Sequence, residues 1–369
     1  MAKSMNHYLK AISSSLMVVV TMGILCSVGY AADNEIQGAG SSLSNTLMQK
    51  LLGEYGPSHR VDITYKAVGS GEGIKSIAAA TVDFALTDVP LTKYELDLLE
   101  VIQFPVFFSS ITPIVNVPGL PVGAVKLSGS VLSDIYAGNI RNWNDPKILE
   151  LNPDLTFPNL SITAIARSDA SGSSYVFTRF LSKESKEWAD SFGIGSKLKW
   201  PTGLAVRGTE GVIKAVNRTP GAIGYVEYGD ALRNKASTVQ LKVGEVFVSP
   251  SFELLKLSSS DFRWRGGSYY PVKTGEGLSE SQSQFQPQWP IVAVTYSLIR
   301  RVCADDQDAR DTLLFFDWIL TNKNPVFQEL NMITPQNAAL VASIRKKFSE
   351  VVNSKGTVIQ VFEPLKGTP

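Results

Sequence analysis

Three turns rich in glycine and serine, each directly before a predicted helix, contain the residue types in this sequence best able to do chemistry. They are Gly38-Ala-Gly-Ser-Ser-Leu-Ser44, Gly69-Ser-Gly-Glu-Gly73 and Arg167-Ser-Asp-Ala-Ser-Gly-Ser-Ser174. A helix N-terminus presents unpaired backbone N–H groups at the positive end of the helix dipole, and serine hydroxyls add further donors. Each turn alone fits ordinary helix capping. Three turns of one design predict a shared site for an oxyanion.

Two charged residues accompany these turns. Arg167 has a planar guanidinium that can bind a tetrahedral oxyanion through two hydrogen bonds, and Asp169 would hold that group in place. A purely structural Arg167–Asp169 pair is the alternative. Asp88 would repel an anion unless the anion carries a proton for the carboxylate to accept, as hydrogen phosphate does near neutral pH and sulfate does not. The alternative for Asp88 is a turn residue before Pro90.

The composition argues against several classes of enzyme and metal site. The 369 residues include two histidines, His7 and His59, and two cysteines, Cys26 and Cys303. Chemistry that needs a histidine pair, a thiolate cluster or a disulfide framework therefore has almost nothing to build with, and we interpret His59 as a solvated loop residue. The acids from Asp305 to Asp311 lack the calcium-loop pattern and fit a helix start. We therefore expect no catalytic residue, no cofactor and no metal site.

Residues 1–31 have the features of a secretory signal peptide. Lys3 and Lys10 give it a basic start, residues 16–25 are mostly apolar, and small residues precede Ala32. A retained anchor is the alternative, but the apolar run is shorter than the ~20 residues of a membrane span. Losing two lysines changes the net charge from +1 to +1 − 2 = −1, which argues against nucleic-acid binding. We expect cleavage and a periplasmic protein; lipid attachment at Cys26 stays open.

Predicted strands alternate with predicted helices along the rest of the chain, which indicates α/β layers with largely parallel sheets. The length fits about two domains. Residues 258–265 and 274–290 are predicted to be loops, and residues 354–369 a loosely held extension. Strands are predicted at 61–66, 82–86, 111–117 and 161–165, and helices at 44–55, 73–80, 175–192, 308–321 and 335–352.

Taken together, the motifs resemble those of periplasmic phosphate-binding proteins, the substrate-binding components of the phosphate ABC importer. The three turns carry the resemblance with Asp83–Pro90, Asp134–Trp143 and Pro220–Tyr228, in the family's order. The resemblance implies an α/β fold of the two-lobed, type II-like clamshell class, with the ligand in the cleft between the lobes. One lobe would hold residues 33–115 and 292–369, and the other residues 116–291.

The resemblance also implies the ligand contacts. Asp88 would accept the phosphate proton, Leu43 would donate through its backbone N–H, and Asp169 would steer Arg167. The full set of phosphate-binding residues would be Ser42, Leu43, Ser70, Asp88, Arg167, Ser171, Gly172 and Ser173. The family usually has Thr-Phe at 42–43, Gly at 170 and Thr at 173, and these departures bear on the affinity. The implied partners are inorganic phosphate and the membrane subunits of the importer, with no nucleic acid, and we expect a monomer.

Two alternatives remain at this stage. One is a binding protein for another tetrahedral oxyanion, such as sulfate, molybdate or tungstate, which Asp88 disfavours because an unprotonated dianion would leave its carboxylate unpaired. The other is a secreted phosphatase with a serine nucleophile and metal ions. Such an enzyme would need His or clustered carboxylate ligands, and a mature chain with one histidine offers little for this.

Overall fold

The computed structural model describes residues 35–260, 262–265, 268–271, 287–335 and 337–362. The predicted signal peptide, Cys26 and most of the predicted loop 274–290 lie outside these ranges. The strands are β1 Glu35–Gly40, β2 Asp62–Lys66, β3 Phe84–Thr87, β4 Val101–Val115, β5 Lys126–Leu127, β6 Thr163–Arg167, β7 Leu204–Val206, β8 Ala222–Glu227, β9 Ser237–Thr238, β10 Gln240–Val243, β11 Val246–Val248, β12 Phe262–Arg265, β13 Ser268–Pro271, β14 Val292–Arg300, β15 Val302–Cys303, β16 Met332–Ile333 and β17 Val352–Asn353.

Helices are inserted between most of these strands, as the alternating pattern predicts. They are α1 Asn45–His59, α2 Ser70–Ala78, α3 Lys93–Leu98, α4 Gly129–Ala137, α5 Pro146–Leu151, α6 Gly172–Glu184, α7 Lys186–Ser191, α8 Gly208–Arg218, α9 Tyr228–Arg233, α10 Phe252–Ser260, α11 Asp306–Thr321, α12 Val326–Glu329 and α13 Ala338–Phe348. None of the helices in the described ranges combines the length and the apolar composition of a membrane-spanning segment.

One large sheet runs through the molecule in the order β2-β1-β3-β14-β4-β8-β6-β7. Its two ends are parallel: β1 pairs with β2 and β3 at one end, and β6 pairs with β7 and β8 at the other. Its centre is antiparallel, because β14 runs against both β3 and β4, and β4 runs against β8. The prediction of largely parallel sheets therefore holds for the ends and is wrong for the centre.

Strand β4 joins the two halves of this sheet. Its first ten residues, Val101–Ser110, pair with β14 except at a bulge at Val106, and its last five, Ile111–Val115, pair with β8. All fifteen residues are buried. The sequence predicted only the second part, because Pro105, which lacks an N–H, and the polar Gln103, Ser109 and Ser110 interrupt the apolar run of the first part. Through this strand the α/β halves share one hydrogen-bonded framework.

Helix α10 bears on where the lobes divide. It packs against β4, β14 and β16, and its Leu255 lies in an apolar cluster with Phe108 and Val294 of the first half. The predicted division places α10 in the lobe 116–291. The lobe boundaries stay a prediction, and the packing of α10 favours a second boundary that lies before this helix.

Several local predictions need correction. The predicted helix 175–192 is two helices, α6 and α7, because Ser185 leaves helical geometry and its hydroxyl accepts a hydrogen bond from the Trp188 N–H at 3.1 Å. The predicted loop 258–265 is the end of α10 followed by β12, which pairs antiparallel with β13. His59 is not a loop residue; it lies exposed in the last turn of α1 and stacks on Tyr55, with 3.8 Å between the ring centroids.

The segment after β17 is also more ordered than the sequence suggested. Ile359 and Val361 are buried in the main apolar core, and Arg345 lies over the Phe362 ring. Residues 359–362 are therefore held by packing against the body of the protein, residues 354–358 are exposed, and residues 363–369 lie outside the described ranges.

Glu227, the last residue of β8, is a buried acid with an incomplete set of hydrogen bonds. Its Oε2 accepts from the Asp230 N–H at 2.9 Å, and its Oε1 has no partner in the described part of the chain. Burial and the like charge of Asp230 raise the pKa of Glu227 well above its ordinary value, although Arg233 acts in the opposite direction. Glu227 is therefore protonated in the folded protein over a wider pH range than in the unfolded chain.

The raised pKa of Glu227 predicts a pH-dependent stability. Glu227 contributes fully to the free energy of unfolding below the pKa that it has in the unfolded chain. This contribution declines as the pH rises toward its pKa in the folded protein. Glu227→Gln removes this dependence, so the variant should gain stability relative to wild type as the pH rises above the ordinary glutamate pKa of about 4. The gain should be about 1.4 kcal/mol for each pH unit over which the carboxyl is protonated only in the folded state. Urea unfolding across this range measures the difference.

The matched control for this prediction is Glu253→Gln, at an exposed position of α10. Glu253 is exposed, so its replacement should change the stability far less than replacement of the buried Glu227. A pH-independent difference for Glu227→Gln would contradict the expectation.

Candidate functional site

The first part of the site lies at the carboxyl ends of three neighbouring parallel strands. Ser41 follows β1, Ser70 follows the loop after β2 as the first residue of α2, and Asp88 follows β3. Because the carboxyl ends of adjacent parallel strands lie at one edge of a sheet, the three side chains meet there. Helix α2 begins at Ser70, three residues before the predicted start, so the second glycine-rich turn forms the first turn of that helix.

The Asp88 carboxylate is the centre of this part of the site. Its Oδ2 accepts from the Ser41 Oγ at 2.6 Å and from the Ser70 Oγ at 3.3 Å, and its Oδ1 accepts from the Thr295 Oγ1 at 2.6 Å. Its backbone N–H donates to the Ser70 Oγ at 3.2 Å. Only 2% of the residue is exposed. Asp88 therefore has far more contacts than a turn residue before Pro90 requires.

Opposing effects act on the charge of Asp88. Burial raises its pKa above the ordinary value, because a carboxylate loses its hydration. The hydrogen bonds from Ser41, Thr295 and Ser70, together with the positive charge of Arg167, act in the opposite direction and favour the ionised form. Burying the Asp88 carboxylate without hydrogen bonds would cost free energy. The neighbouring donors offset this cost and keep Asp88 as a hydrogen-bond acceptor inside the protein.

The second part of the site is formed at the carboxyl ends of β6 and β7. Arg167 ends β6 and forms a two-pronged ion pair with Asp169, in which Nε donates to Oδ1 at 2.8 Å and Nη2 donates to Oδ2. The Gly208 N–H, at the start of α8, also donates to Asp169 Oδ1 at 3.2 Å. Burial disfavours the Asp169 carboxylate, but the hydrogen bond and charge of Arg167 outweigh it and hold the pKa of Asp169 below its ordinary value.

Arg167 also connects the two halves of the sheet. Its Nη2 donates to the Ser42 Oγ at 3.2 Å, and its Nη1 donates to the Thr209 Oγ1 at 3.4 Å. The two hydroxyls lie 3.4 Å apart. Ser42 belongs to the first half and Thr209 to the second, so the guanidinium lies where the halves meet.

The N-terminus of α6 completes the second part. Ser171 is its N-cap, and the Ser171 Oγ accepts from the Ser174 N–H at 3.4 Å. A Cβ on Gly172 would lie 2.3 Å from Asp88 Oδ2 and 2.5 Å from the Ser70 Oγ, so only glycine allows this approach. Ser173 is buried in the first turn. The positive end of the α6 dipole therefore faces the Asp88 side of the site.

The structure thus brings the predicted residues together from both halves. Leu43 is also at the site, but its N–H donates to the Ser41 Oγ at 3.3 Å. Sequence reasoning missed three hydroxyl residues that contact charged groups here: Ser41, Thr209 and Thr295. Ser41 lies inside the first turn that the sequence singled out, whereas nothing in the sequence near Thr209 or Thr295 marks them.

The acids of the predicted cluster near residue 305 lie elsewhere and have a structural explanation. Asp305 caps α11 by accepting from the N–H groups of Gln307 and Asp308 at 2.8 and 2.9 Å. Across the described ranges, no three His, Cys, Asp or Glu side chains are grouped so that they could hold a metal ion.

The comparisons with known proteins agree with this architecture. Residues 28–323 match the model of the PBP superfamily domain. The chain is 35% identical to the phosphate-binding protein PstS of Haemophilus influenzae over 332 residues, which are 89% of this chain and 96% of that protein. It is 32% identical to PstS of Pasteurella multocida, over 88% of this chain and 93% of that protein.

Among solved structures, that of PfluDING, a high affinity periplasmic phosphate-binding protein bound with phosphate, aligns with a TM-score of 0.66 at 20% identity. The alignment covers 88% of this chain and 96% of that chain, and it bears on the fold alone. The fold is the two-lobed α/β clamshell of the solute-binding proteins, as the resemblance implied. The chain belongs to the PBP superfamily and, within it, to the family of the PstS phosphate-binding proteins.

The Arg167–Asp169 pair predicts a stability effect. The two side chains are 2% and 14% exposed. Asp169→Asn therefore leaves the positive charge of the buried Arg167 guanidinium without its negatively charged partner. We expect the free energy of unfolding to fall by about 3 kcal/mol, as for other broken buried pairs. Urea denaturation measures the change. The matched control is Asp190→Asn, which breaks the exposed Lys186–Asp190 pair and should have a much smaller effect. If the two substitutions lowered the free energy of unfolding equally, burial would not be what makes the Arg167–Asp169 pair important.

Proposed function

We propose that this protein binds inorganic phosphate and delivers it to the membrane subunits of an ABC importer. The observation that carries the proposal is the buried Asp88 acceptor, which lies at the meeting of the two halves with Arg167 and the α6 N-terminus. Cationic and N–H donors attract an oxyanion, and a carboxylate among them is useful only when the anion carries a proton. Hydrogen phosphate meets both requirements.

The proposed contacts come from both halves. Ser42, the Leu43 N–H and Ser70 would donate from the first half, and Asp88 would accept the proton of the ligand. Donors of the second half would be Arg167, Ser171, Gly172 and Ser173, with Asp169 orienting the guanidinium. Since Gly172 approaches both Asp88 and Ser70, a ligand at this place would contact both halves and favour the closed clamshell.

The names of the relatives support this proposal over its alternatives. The two PstS relatives are phosphate-binding proteins, and neither name refers to catalysis or to sulfate. We propose accordingly that the chain has no enzymatic role and acts as a monomeric carrier. We further propose export to the periplasm, with cleavage of the signal peptide after Ala31 or Ala32, and two lobes with the division given above, adjusted at α10.

Calorimetric titration of the protein with three anions tests the proposed function. The protein is first unfolded to remove bound phosphate and then refolded. We expect tight binding of phosphate, binding of arsenate, which can also carry a proton, and no measurable binding of sulfate. Tight sulfate binding together with weak phosphate binding would overturn the proposal.

The role of Asp88 gives a sharper prediction. A site built around one hydrogen bond can reject an analogue that lacks it by roughly 10⁴-fold. Asp88→Asn removes the like-charge repulsion and supplies an NH₂ that can face a sulfate oxygen. The variant should gain measurable sulfate binding, while its phosphate affinity changes by a smaller factor. Competition of sulfate against labelled phosphate measures both, and equal exclusion of sulfate by the two proteins would remove Asp88 from the selectivity mechanism.

A further inference from the structure

Ser41 has a place in the site that the proposed phosphate contacts do not explain. Its hydroxyl donates to Asp88 Oδ2 at 2.6 Å and accepts from the Leu43 N–H at 3.3 Å. The residue is 1% exposed. One oxygen atom thus links the acceptor proposed for the ligand proton with an N–H proposed to bind the ligand.

These two bonds are the ones that a protonated phosphate oxygen would make. A P–OH group placed between Asp88 and Leu43 would donate its proton to the carboxylate and accept from the backbone N–H. The Ser41 C–OH group has the same donor and acceptor capacity at one oxygen atom. The side chain and the ligand therefore require the same partners.

The carboxylate has limited room for another donor on the relevant side. A carboxylate oxygen offers about two acceptor positions, and Ser41 and Ser70 take both at Oδ2. Oδ1 faces Thr295 of β14, whereas Oδ2 is the oxygen that Gly172 approaches from the second half. A ligand held by the α6 N-terminus would therefore reach Oδ2, which already accepts two hydrogen bonds.

The backbone of Ser41 is fixed on both sides. Its N–H donates to the Leu86 carbonyl at 2.8 Å, and its carbonyl accepts from the Tyr65 hydroxyl at 2.7 Å. Gly40, just before it, has φ +137°, and a Cβ there would lie 2.0 Å from the Leu86 carbonyl oxygen. Rotation about χ1 of Ser41 is therefore the movement that frees Asp88 Oδ2 and the Leu43 N–H without a shift of the main chain.

We propose that Ser41 is an internal competitor of the ligand, and that its hydroxyl rotates off Asp88 and Leu43 when hydrogen phosphate binds. Ser41 then lowers the phosphate affinity, since binding exchanges one hydrogen bond to Asp88 for another. It also sharpens selectivity, because an anion without a proton cannot replace the bond that Ser41 gives up. This inference rests on the proposed function and assigns to Ser41 a role opposite to that of the neighbouring ligand residue Ser70.

The test compares two serines that donate to the same carboxylate oxygen. Ser41→Ala removes the competing hydroxyl, so the phosphate dissociation constant should fall by about 2- to 10-fold, the range that corresponds to one net hydrogen bond. Ser70→Ala removes a longer bond to Oδ2, 3.3 Å against 2.6 Å for Ser41, together with a proposed ligand contact, so the constant should rise. Calorimetric titration with inorganic phosphate at one neutral pH gives both values. Ser41→Gly provides a second hydroxyl-free variant and should change the constant in the same direction as Ser41→Ala.

The outcomes separate this inference from the proposed function. If wild type binds phosphate and Ser41→Ala and Ser41→Gly both bind it more weakly or equally, Ser41 is not a competitor, although the proposed function stands. If wild type does not bind phosphate, the proposed function fails and the inference fails with it. Thermal unfolding of each variant shows that the compared proteins are folded. A tighter Ser41→Ala variant with a weaker Ser70→Ala variant supports the inference, since loss of structure does not tighten binding.

Discussion

The buried carboxylate of Asp88 imposes the strongest constraint on this structure. A charge removed from water costs several kcal/mol unless hydrogen-bonded groups replace the lost hydration. Here the replacements are hydroxyls from three separate segments: Ser41 after β1, Ser70 at the start of α2, and Thr295 within β14. These donors converge only when the strands pair in the observed order and register. The first half of the sheet is therefore organised around one acceptor.

The second half of the sheet also contains a buried charge, the positive guanidinium of Arg167. Arg167 is as buried as Asp88, and Asp169 with the Gly208 N–H forms a rigid support behind its guanidinium. Two further N–H groups of Arg167 donate to Ser42 and Thr209, on either side of the boundary between the halves. Strand β4 carries both halves on one continuous backbone. Recognition of an oxyanion and the approach of the two halves are for this reason coupled in the proposed mechanism.

The serines around the site do not all act in one direction. Ser42 and Ser70 are proposed to donate to the ligand, although Ser70 donates to Asp88 here, whereas Ser41 joins Asp88 to the Leu43 N–H. Affinity is then a difference between bonds gained and bonds given up. A site that stabilises its own buried carboxylate binds less tightly than its donor count suggests, but it favours the ligand that brings a replacement proton.

The sequence by itself determined the local parts of this protein: the three helix starts rich in serine and glycine, the charged pair Arg167 and Asp169 two residues apart, and the family. These depend on neighbours along the chain, so residue types and spacing suffice to predict them. Only the tertiary structure decided which hydroxyls reach the charges. Thr295 is 207 residues from Asp88, and Thr209 is 42 residues from Arg167. Strand register places such pairs, and the buried centre of the sheet, including residues 101–110, has no polar alternation from which to predict that register.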